Sequence, residues 1–228
     1  MNKPLVIITG ASAGIGAALA KIFSSEGYSL CLLSRNIESM EKLNLPNTLC
    51  QSVDVTDFDA LKKAISLAEN KFGATDCLIN NAGFLKHGDF CEINHDDHAN
   101  MVNVNFIGVI NGIEAILPGM RERKNGTIIN ISSLADRNAR PKFETYAATK
   151  AAVKSLTESA RMANAKYGIR FCNLAPANIL TEMSVTAKLD PKLGVSAEEF
   201  AKTVLWVYRQ PQNICIRDMV FASTFYEP

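Results

Sequence analysis

The fold is decided near the start of the chain by Leu5-Val-Ile-Ile-Thr-Gly-Ala-Ser-Ala-Gly-Ile-Gly16. The uninterrupted, branched apolar run at its beginning is typical of a strand buried on both faces. Gly10, Gly14 and Gly16 follow, and then apolar residues at helical spacing as far as Phe23. Glycines at such a turn let the backbone approach a pyrophosphate closely, and the free N–H groups of a helix start favour negative charge. This stretch therefore favours nucleotide binding over a simple turn.

Strand and helix patterns alternate along the rest of the chain, without a linker, a repeat or a low-complexity tract. Strand patterns cover 29–34, 48–53, 77–80, 127–131, 169–174 and 214–221. Helical patterns cover 37–43, 58–68, 96–123, 144–167 and 196–209. Such alternation predicts an α/β fold with a doubly wound, mostly parallel sheet that carries helices on both faces. We expect one domain over residues 1–228.

Composition and charge narrow the classes of partner. With 47% hydrophobic residues, 21% charged residues and a formal net charge of +1, the chain gives no reason to expect nucleic acid or a membrane as partner. No apolar run has the length of a transmembrane span, and no signal-peptide pattern precedes the first strand. The six cysteines form no C-x-x-C pair, which favours reduced thiols over disulfides. We therefore expect a cytoplasmic protein.

Polar, glycine-rich segments follow the ends of the predicted strands. They cover 9–16, 34–35, 54, 80–83, 132–133 and 176–181. Ligands of doubly wound sheets bind outside the carboxyl ends of the strands, so these segments are expected to line one cleft.

Tyr146 and Lys150 lie four residues apart and so share one helical face. A tyrosine, with a pKa near ~10, is a poor acid or base at neutral pH unless a nearby cation stabilises its phenolate. For an isolated pair, a solvated helix face is the more frequent interpretation. Other motifs in the chain change that balance.

Several motifs occur together in one order and spacing. These are the glycine turn from Thr9 to Gly16, Asn80-Asn-Ala-Gly83, Asn105, Ser133 thirteen residues ahead of Tyr146, and Tyr146-x-x-x-Lys150. The set resembles the short-chain dehydrogenase/reductase family over residues 5–181. That resemblance implies a single-domain, Rossmann-type, seven-stranded sheet and NAD(P)-dependent oxidation or reduction of alcohols and carbonyls.

The resemblance also implies roles for four catalytic residues. Tyr146 is expected to act as acid or base on the substrate oxygen, and Ser133 to hydrogen-bond that oxygen. Lys150 is expected to lower the pKa of Tyr146 and to bind the nicotinamide ribose. The backbone carbonyl of Asn105 is expected to hold a water of a proton relay, the alternative being a buried, satisfied amide.

The resemblance further implies a set of cofactor-binding residues along the strand ends. They are Gly10, Ser12, Ala13, Gly14, Ile15, Gly16, Ser34, Arg35, Asp54, Val55, Asn81, Ala82, Gly83, Tyr146, Lys150, Pro176, Ile179 and Thr181. Asp54 is expected to hydrogen-bond the adenine amino group, or otherwise only to cap a helix. Ala177 stands where the family usually has glycine, which leaves the conformation of that loop open.

The end of the second strand indicates which dinucleotide binds. An acid about 20 residues past the glycine turn would bind the ribose 2′-OH and repel a 2′-phosphate. This chain has Ser34 and Arg35 there, a neutral hydroxyl and a fork of N–H donors suited to phosphate. We therefore predict NADP(H) as the cofactor.

The substrate is expected to be a small carbonyl or alcohol compound, held by residues 84–95, 134–143 and 183–195. Residues 182–195 are expected to form a lid, and no metal is expected. Apolar candidates for the pocket are Leu85, Phe90, Phe143, Met183 and Leu189. His87, Arg137 and Arg140 are candidates to bind a substrate carboxylate, although loop residues of this kind are more often only solvated.

Three further expectations remain open from the sequence. By resemblance we expect a homodimer or homotetramer that assembles through the helices at 96–123 and 144–167. The aromatic tail at 221–226 would either cover the core or meet a neighbouring subunit. Alternatives to a reductase are a non-catalytic NADP(H)-binding sensor on the same fold, or an epimerase or dehydratase that uses the cofactor transiently.

Overall fold

A computed structural model describes residues 3–186 and 190–226. Within these ranges the main sheet consists of β1 (Lys3–Thr9), β2 (Tyr28–Ser34), β3 (Thr48–Ser52), β4 (Thr75–Asn80), β5 (Thr127–Ile131), β6 (Arg170–Pro176) and β9 (Asp218–Phe221); two short strands, β7 (Ile179–Leu180) and β8 (Val195–Ser196), lie between β6 and β9 in the chain. The seven strands have the order β3-β2-β1-β4-β5-β6-β9, and every neighbouring pair is parallel. The predicted parallel α/β sheet is thereby confirmed.

Helices cover both faces of this sheet. They are α1 (Gly14–Ser25), α2 (Ile37–Glu41), α3 (Phe58–Phe72), α4 (His95–Val102), α5 (Gly108–Arg123), α6 (Glu144–Asn164), α7 (Glu182–Thr186) and α8 (Ala197–Tyr208). Phe23 of α1 and Phe200 of α8 are buried in the core on one face. Leu61 of α3, Ile113 of α5 and Val153 of α6 are buried in the core on the other. The uninterrupted apolar strands follow from this burial on both sides.

The reversal of strand order beside β1 positions the site. β1 pairs with β2 on one side and with β4 on the other, so the chain leaves the sheet centre in both directions. At such a switch point the loops that follow the strands diverge and leave a crevice at the carboxyl edge. The loops after β1 and β4 lie at that crevice.

Three elements differ from the sequence-based expectation. The helix expected at 96–123 is interrupted by a π-helical turn, Asn103–Ile107, between α4 and α5. The last strand begins only at Asp218. A short parallel pair, β7 (Ile179–Leu180) with β8 (Val195–Ser196), was not predicted and flanks the segment expected to be a lid. A pair of two-residue strands is too short to produce a hydrophobic period.

The stretch His95–Arg123 meets the length and composition test for a membrane span, with a mean hydropathy of 1.4 over its most apolar window. This differs from the expectation that no run of that length exists, because a single acidic residue hardly lowers the average. In the fold, 44% of this window is buried and the stretch lies in the helical layer against the sheet. Core helices of globular proteins commonly pass such a test.

Candidate active site

The glycine turn after β1 can accommodate no larger residue at two positions. Gly10 has φ +64°, and a Cβ there would lie 2.7 Å from the Cα of Ala82. A Cβ at Gly16 would lie 2.1 Å from the carbonyl oxygen of Gly10. The turn therefore folds tightly onto the loop after β4 and points the start of α1 into the crevice, as a pyrophosphate cradle requires.

Side-chain hydrogen bonds join this turn to the end of β4. The Thr9 hydroxyl accepts from the backbone N–H groups of Asn81 and Ala82, both at 3.0 Å. The Asn81 amide donates to the carbonyl oxygens of Thr9 at 3.0 Å and of Gly10 at 3.2 Å. Asn81 therefore supports the turn from behind, and its predicted contact with the cofactor stays a prediction.

At the end of β2, Ser34 and Arg35 face the same turn. The Ser34 hydroxyl donates to the Ser12 hydroxyl at 2.9 Å. Burial alone would raise the pKa of Asp54, but hydrogen bonds from Thr56 and the nearby Arg35 guanidinium together lower it. Asp54 is thus an ionised carboxylate that orders its own turn, which leaves its predicted contact with adenine a prediction.

A cavity of about 560 Å³ runs along the carboxyl edge of the sheet. The predicted site residues on its wall are Gly10, Ser12, Ala13, Gly14, Ile15, Ser34, Arg35, Asp54, Val55, Asn81, Ala82, Gly83, Ser133, Tyr146, Lys150, Pro176, Ile179 and Thr181. Gly16 and Asn105 lie behind the wall. A volume of this size is ordinary for a ligand site.

The phenol of Tyr146 is half-buried in the cavity wall and paired with Ser133. Burial raises its pKa to about 12; a hydrogen bond with the Ser133 side chain opposes the rise, and the negative charge of Asp136 adds to it. The expected lowering of this pKa by Lys150 stays a prediction, because Lys150 is not among the groups that shift it here. Burial dominates, so Tyr146 is a neutral phenol that can donate a proton.

Lys150 is 5% exposed and donates to the carbonyl oxygen of Ile131 at 2.9 Å. Its Nζ lies 5.7 Å from the centre of the Tyr146 ring. Burial lowers its pKa to about 8, while the charge of Asp136 works in the opposite direction. Lys150 therefore brings a positive charge to the phenol without contacting its oxygen.

The Asn105 amide is buried in the π-helical turn and connects three elements. Its Oδ1 accepts from the N–H of Phe84 at 2.7 Å, and its Nδ2 donates to the carbonyl oxygen of Phe84 at 2.9 Å. Nδ2 also donates to the Thr149 hydroxyl at 3.1 Å. The side chain matches the satisfied amide considered as the alternative, and the predicted role of its backbone carbonyl stays a prediction.

A partly buried ionic cluster beside Ser133 was not predicted from the sequence. The carboxylate of Asp136 accepts from Ser132 at 2.9 Å, from Asn173 at 3.0 Å and from Arg137 at 2.6 Å. Arg137 also makes two bonds to Asp218, at 2.7 and 2.9 Å. Because Ser132 and Ser133 are adjacent, this cluster fixes the loop that presents Ser133 to the cavity.

The same cluster corrects one expectation about the substrate. Arg137 was a candidate to bind a substrate carboxylate, but both Asp136 and Asp218 already occupy its guanidinium. His87 packs edge-on against Phe143, with ring centres 4.8 Å apart. Arg140 alone of these three candidates lines the cavity.

The segment expected to be a lid lies partly outside the described residues. Met183, Asp190 and Leu193 line the cavity, whereas Leu189 falls in the gap at 187–189. Phe90, another expected pocket residue, is 56% exposed and stacks on His98 instead. The lid itself stays a prediction.

A parallel sheet with a glycine turn and a phenol–ammonium pair at its carboxyl edge defines the class of dinucleotide-dependent oxidoreductases. Residues 4–192 match the family model described as short chain dehydrogenase, and the chain belongs to that family. An uncharacterized oxidoreductase of Listeria monocytogenes is 33% identical over 242 residues, with 98% of each chain covered. One from Staphylococcus saprophyticus is 33% identical over 236 residues, with 96% of each covered.

Two solved structures are also similar. The closed form of serine dehydrogenase complexed with NADP+ superposes with a TM-score of 0.92 at 26% identity, covering 98% of this chain and 96% of that one. ElxO with NADP bound superposes with a TM-score of 0.87 at 27% identity, covering 97% of each.

Proposed function

We propose that this protein is an NADP(H)-dependent oxidoreductase that interconverts a small carbonyl compound and its alcohol. The observation that carries the proposal is one cavity with Ser34 and Arg35 at the cofactor side and the Tyr146–Ser133 pair on the same wall. A pair of this kind can hold a substrate oxygen and exchange a proton with it.

Each residue of the site has a separate role in the proposed reaction. In the reducing direction Tyr146 donates its phenolic proton to the substrate oxygen while Ser133 holds that oxygen by a hydrogen bond. The phenolate left on Tyr146 is stabilised by the Lys150 ammonium beside its ring. When bound, the nicotinamide supplies or accepts the hydride. The backbone of the glycine turn and the start of α1 would hold its pyrophosphate.

Arg35 supports the choice of NADP(H) over NAD(H). Its guanidinium lines the cavity next to Ser34, and no acidic residue occupies the end of β2. Guanidinium groups bind phosphate through parallel N–H donors. The two similar structures above carry NADP in their descriptions, which fits the same choice.

The first test is cofactor oxidation with purified protein. NADPH and NADH are offered separately with a panel of aldehydes, ketones, diketones and oxo acids, and absorbance is followed. Tyr146→Phe should lower turnover by about 100-fold or more. Tyr167→Phe, which removes a hydroxyl outside the cavity, is the matched control. Equal turnover in both variants would contradict the catalytic role of Tyr146.

The same assay separates the alternatives. Tight NADPH binding without oxidation of any compound would favour a sensor. Conversion of substrate without net cofactor change would favour an epimerase or dehydratase.

A second variant tests the cofactor preference. Arg35→Gln should raise the KM for NADPH by about 10- to 100-fold, the usual value of a charged hydrogen bond, and should change the KM for NADH little. An equal effect on both cofactors would show that Arg35 does not bind the 2′-phosphate.

We further propose a cytoplasmic homo-oligomer. The six cysteines are free thiols, which suits a reducing compartment. Val102 and Ile107 on the helical stretch around α4 and α5, and Met162 on α6, are exposed apolar residues that a partner subunit would cover. Light scattering tests this: a dimeric or tetrameric mass is expected, and a monomeric mass would contradict it.

A further inference from the structure

Arg140 is a cation on the cavity wall whose side chain has no hydrogen-bonding partner among the residues that the structure describes. Arg140 lines the cavity together with Phe143 and Tyr146. Its guanidinium carbon lies 5.1 Å from the centre of the Tyr226 ring, and Tyr226 lines the same cavity. Among the residues that the structure describes, no carboxylate pairs with Arg140 and no acceptor receives its side-chain N–H groups.

Three cations of the neighbouring loop and α6 already have partners. Arg137 is held by Asp136 and Asp218. Lys154 lies 3.9 Å from the same Asp218 carboxylate, and Lys150 donates to a backbone carbonyl. Arg35 stands at the cofactor end, beside the end of β2. Among the described residues, Arg140 is thus a cation on the wall shared with Tyr146 that has no partner and is available to a bound group.

The contact with Tyr226 orients Arg140 rather than satisfying it. A guanidinium that lies over an aromatic ring uses its flat face, which leaves its in-plane N–H donors for other acceptors. Those donors form a fork that matches a carboxylate in a bidentate pair. Elsewhere on the cavity wall Leu85, Phe143, Met183 and Leu193 are apolar, which strengthens the attraction for a single anionic group.

We propose that Arg140, held by Tyr226, binds a carboxylate of the substrate. The substrate class is then short-chain hydroxy acids and the corresponding oxo acids. This inference rests on the proposed function, since it names the substrate of that site. Two acids, Glu182 and Asp190, also line the cavity. Their negative charge would oppose the binding of an anion, so the experiment has to compare substrates that differ only in charge.

The experiment compares each oxo acid with its own methyl ester, which has the same carbonyl and no charge. The wild type should show a kcat/KM for the acid that is about 10- to 100-fold above that for the ester. Arg140→Gln should lower this acid-over-ester ratio by about the same factor, and Arg140→Lys should restore only part of it, because an ammonium cannot form the bidentate pair.

Two further variants serve as controls. Lys142→Gln removes a positive charge two residues away that does not line the cavity, and it should leave the acid-over-ester ratio unchanged. Tyr226→Phe keeps the ring under Arg140 and should preserve the ratio, whereas Tyr226→Leu should lower it several-fold. Loss of the ratio in Lys142→Gln as large as that in Arg140→Gln would overturn the inference, because general charge would then explain it.

The outcomes separate this inference from the proposed function. Turnover that depends on Tyr146 but shows no preference for acids overturns the role of Arg140 and leaves the oxidoreductase standing. If no compound is turned over, the proposed function fails. Calorimetric titration of the NADP+-saturated protein with a hydroxy acid and its ester then decides. Acid-selective binding that Arg140→Gln abolishes supports the inference, and equal binding overturns it.

Discussion

Lys150→Met should make the protein more resistant to unfolding while it removes a proposed catalytic residue. The ammonium of Lys150 is buried, and in the folded chain it finds one backbone acceptor, the carbonyl oxygen of Ile131, at 2.9 Å. Methionine has a similar length, prefers an apolar environment and fits irregular spaces in a core. The variant therefore removes the desolvation of a charge at little cost in packing.

The magnitude follows from the pKa of Lys150. Burial lowers it from the ordinary value of 10.5 to about 8. That difference corresponds to about 3 kcal/mol of free energy by which the folded state disfavours the ammonium. Methionine also loses the hydrogen bond to Ile131, which offsets about half of this gain. We expect the free energy of unfolding at pH 7 to rise by about 1 to 2 kcal/mol.

The pH dependence of stability independently shows that the buried Lys150 ammonium destabilises the folded chain. Below pH 8 the folded and unfolded chains both hold the proton, so the folded wild type carries the full cost of the buried charge. Between pH 8 and 10.5 the folded chain has released the proton while the unfolded chain keeps it, so the contribution of Lys150 to stability increases with pH. Lys150→Met should lack this increase.

Urea unfolding at a fixed protein concentration, at pH 7 and at pH 9, measures both effects. Lys154→Met is the matched control, because Lys154 is half-exposed, lies one turn further along α6 and pairs with Asp218 at 3.9 Å. Its effect should stay below about 1 kcal/mol. A loss of 2 kcal/mol or more in Lys150→Met at pH 7 would refute the reasoning, since the ammonium would then be stabilised by its surroundings.

Three further substitutions test the site. Gly16→Ala should abolish NADPH binding in a fluorescence titration, because its Cβ would lie 2.1 Å from the carbonyl oxygen of Gly10; unchanged affinity would contradict the cradle. Asp136→Asn should lower the free energy of unfolding by about 1 to 3 kcal/mol, because the buried acceptor that Ser132 and Asn173 share loses its charge while Arg137 keeps Asp218; a loss under about 0.5 kcal/mol in urea unfolding would contradict this role. Asn105→Ala should cost about 2 to 3 kcal/mol, because the N–H and carbonyl of Phe84 lose their partners, and a loss under 1 kcal/mol in urea unfolding would count against this role.

Most of the fold could be predicted from residues that are close together in the sequence. The strand at β1 and the glycine turn could be read directly, because an apolar run, a tight turn and a helix start each depend on residues next to one another. The parallel sheet followed from their alternation. The π-helical turn at Asn103–Ile107 could not be read, since one wider turn shifts the hydrophobic period of a long helix too little to show.

The ionic cluster around Arg137 could not be predicted from residues close together in the sequence. Arg137 and Arg140 lie three residues apart and look alike in the sequence. Only the fold brings Asp218, 81 residues after Arg137, into contact with the first of them. No pattern near Arg137 predicts that partner, because Asp218 comes close only through the pairing of β9 with β6. The same limit hid the contact of Arg140 with Tyr226.

The hydrogen bonds that Asn81 makes to Thr9 and Gly10 bear on the thermodynamics of nucleotide capture. A loop that becomes ordered only when its ligand arrives subtracts about 1 to 2 kcal/mol per residue from affinity. Here Asn81, directly after the end of β4, already holds the turn in its binding shape. The conformational entropy of the turn is therefore lost once, during folding, and not each time a nucleotide binds. Rigidity at this turn is thus part of the affinity itself.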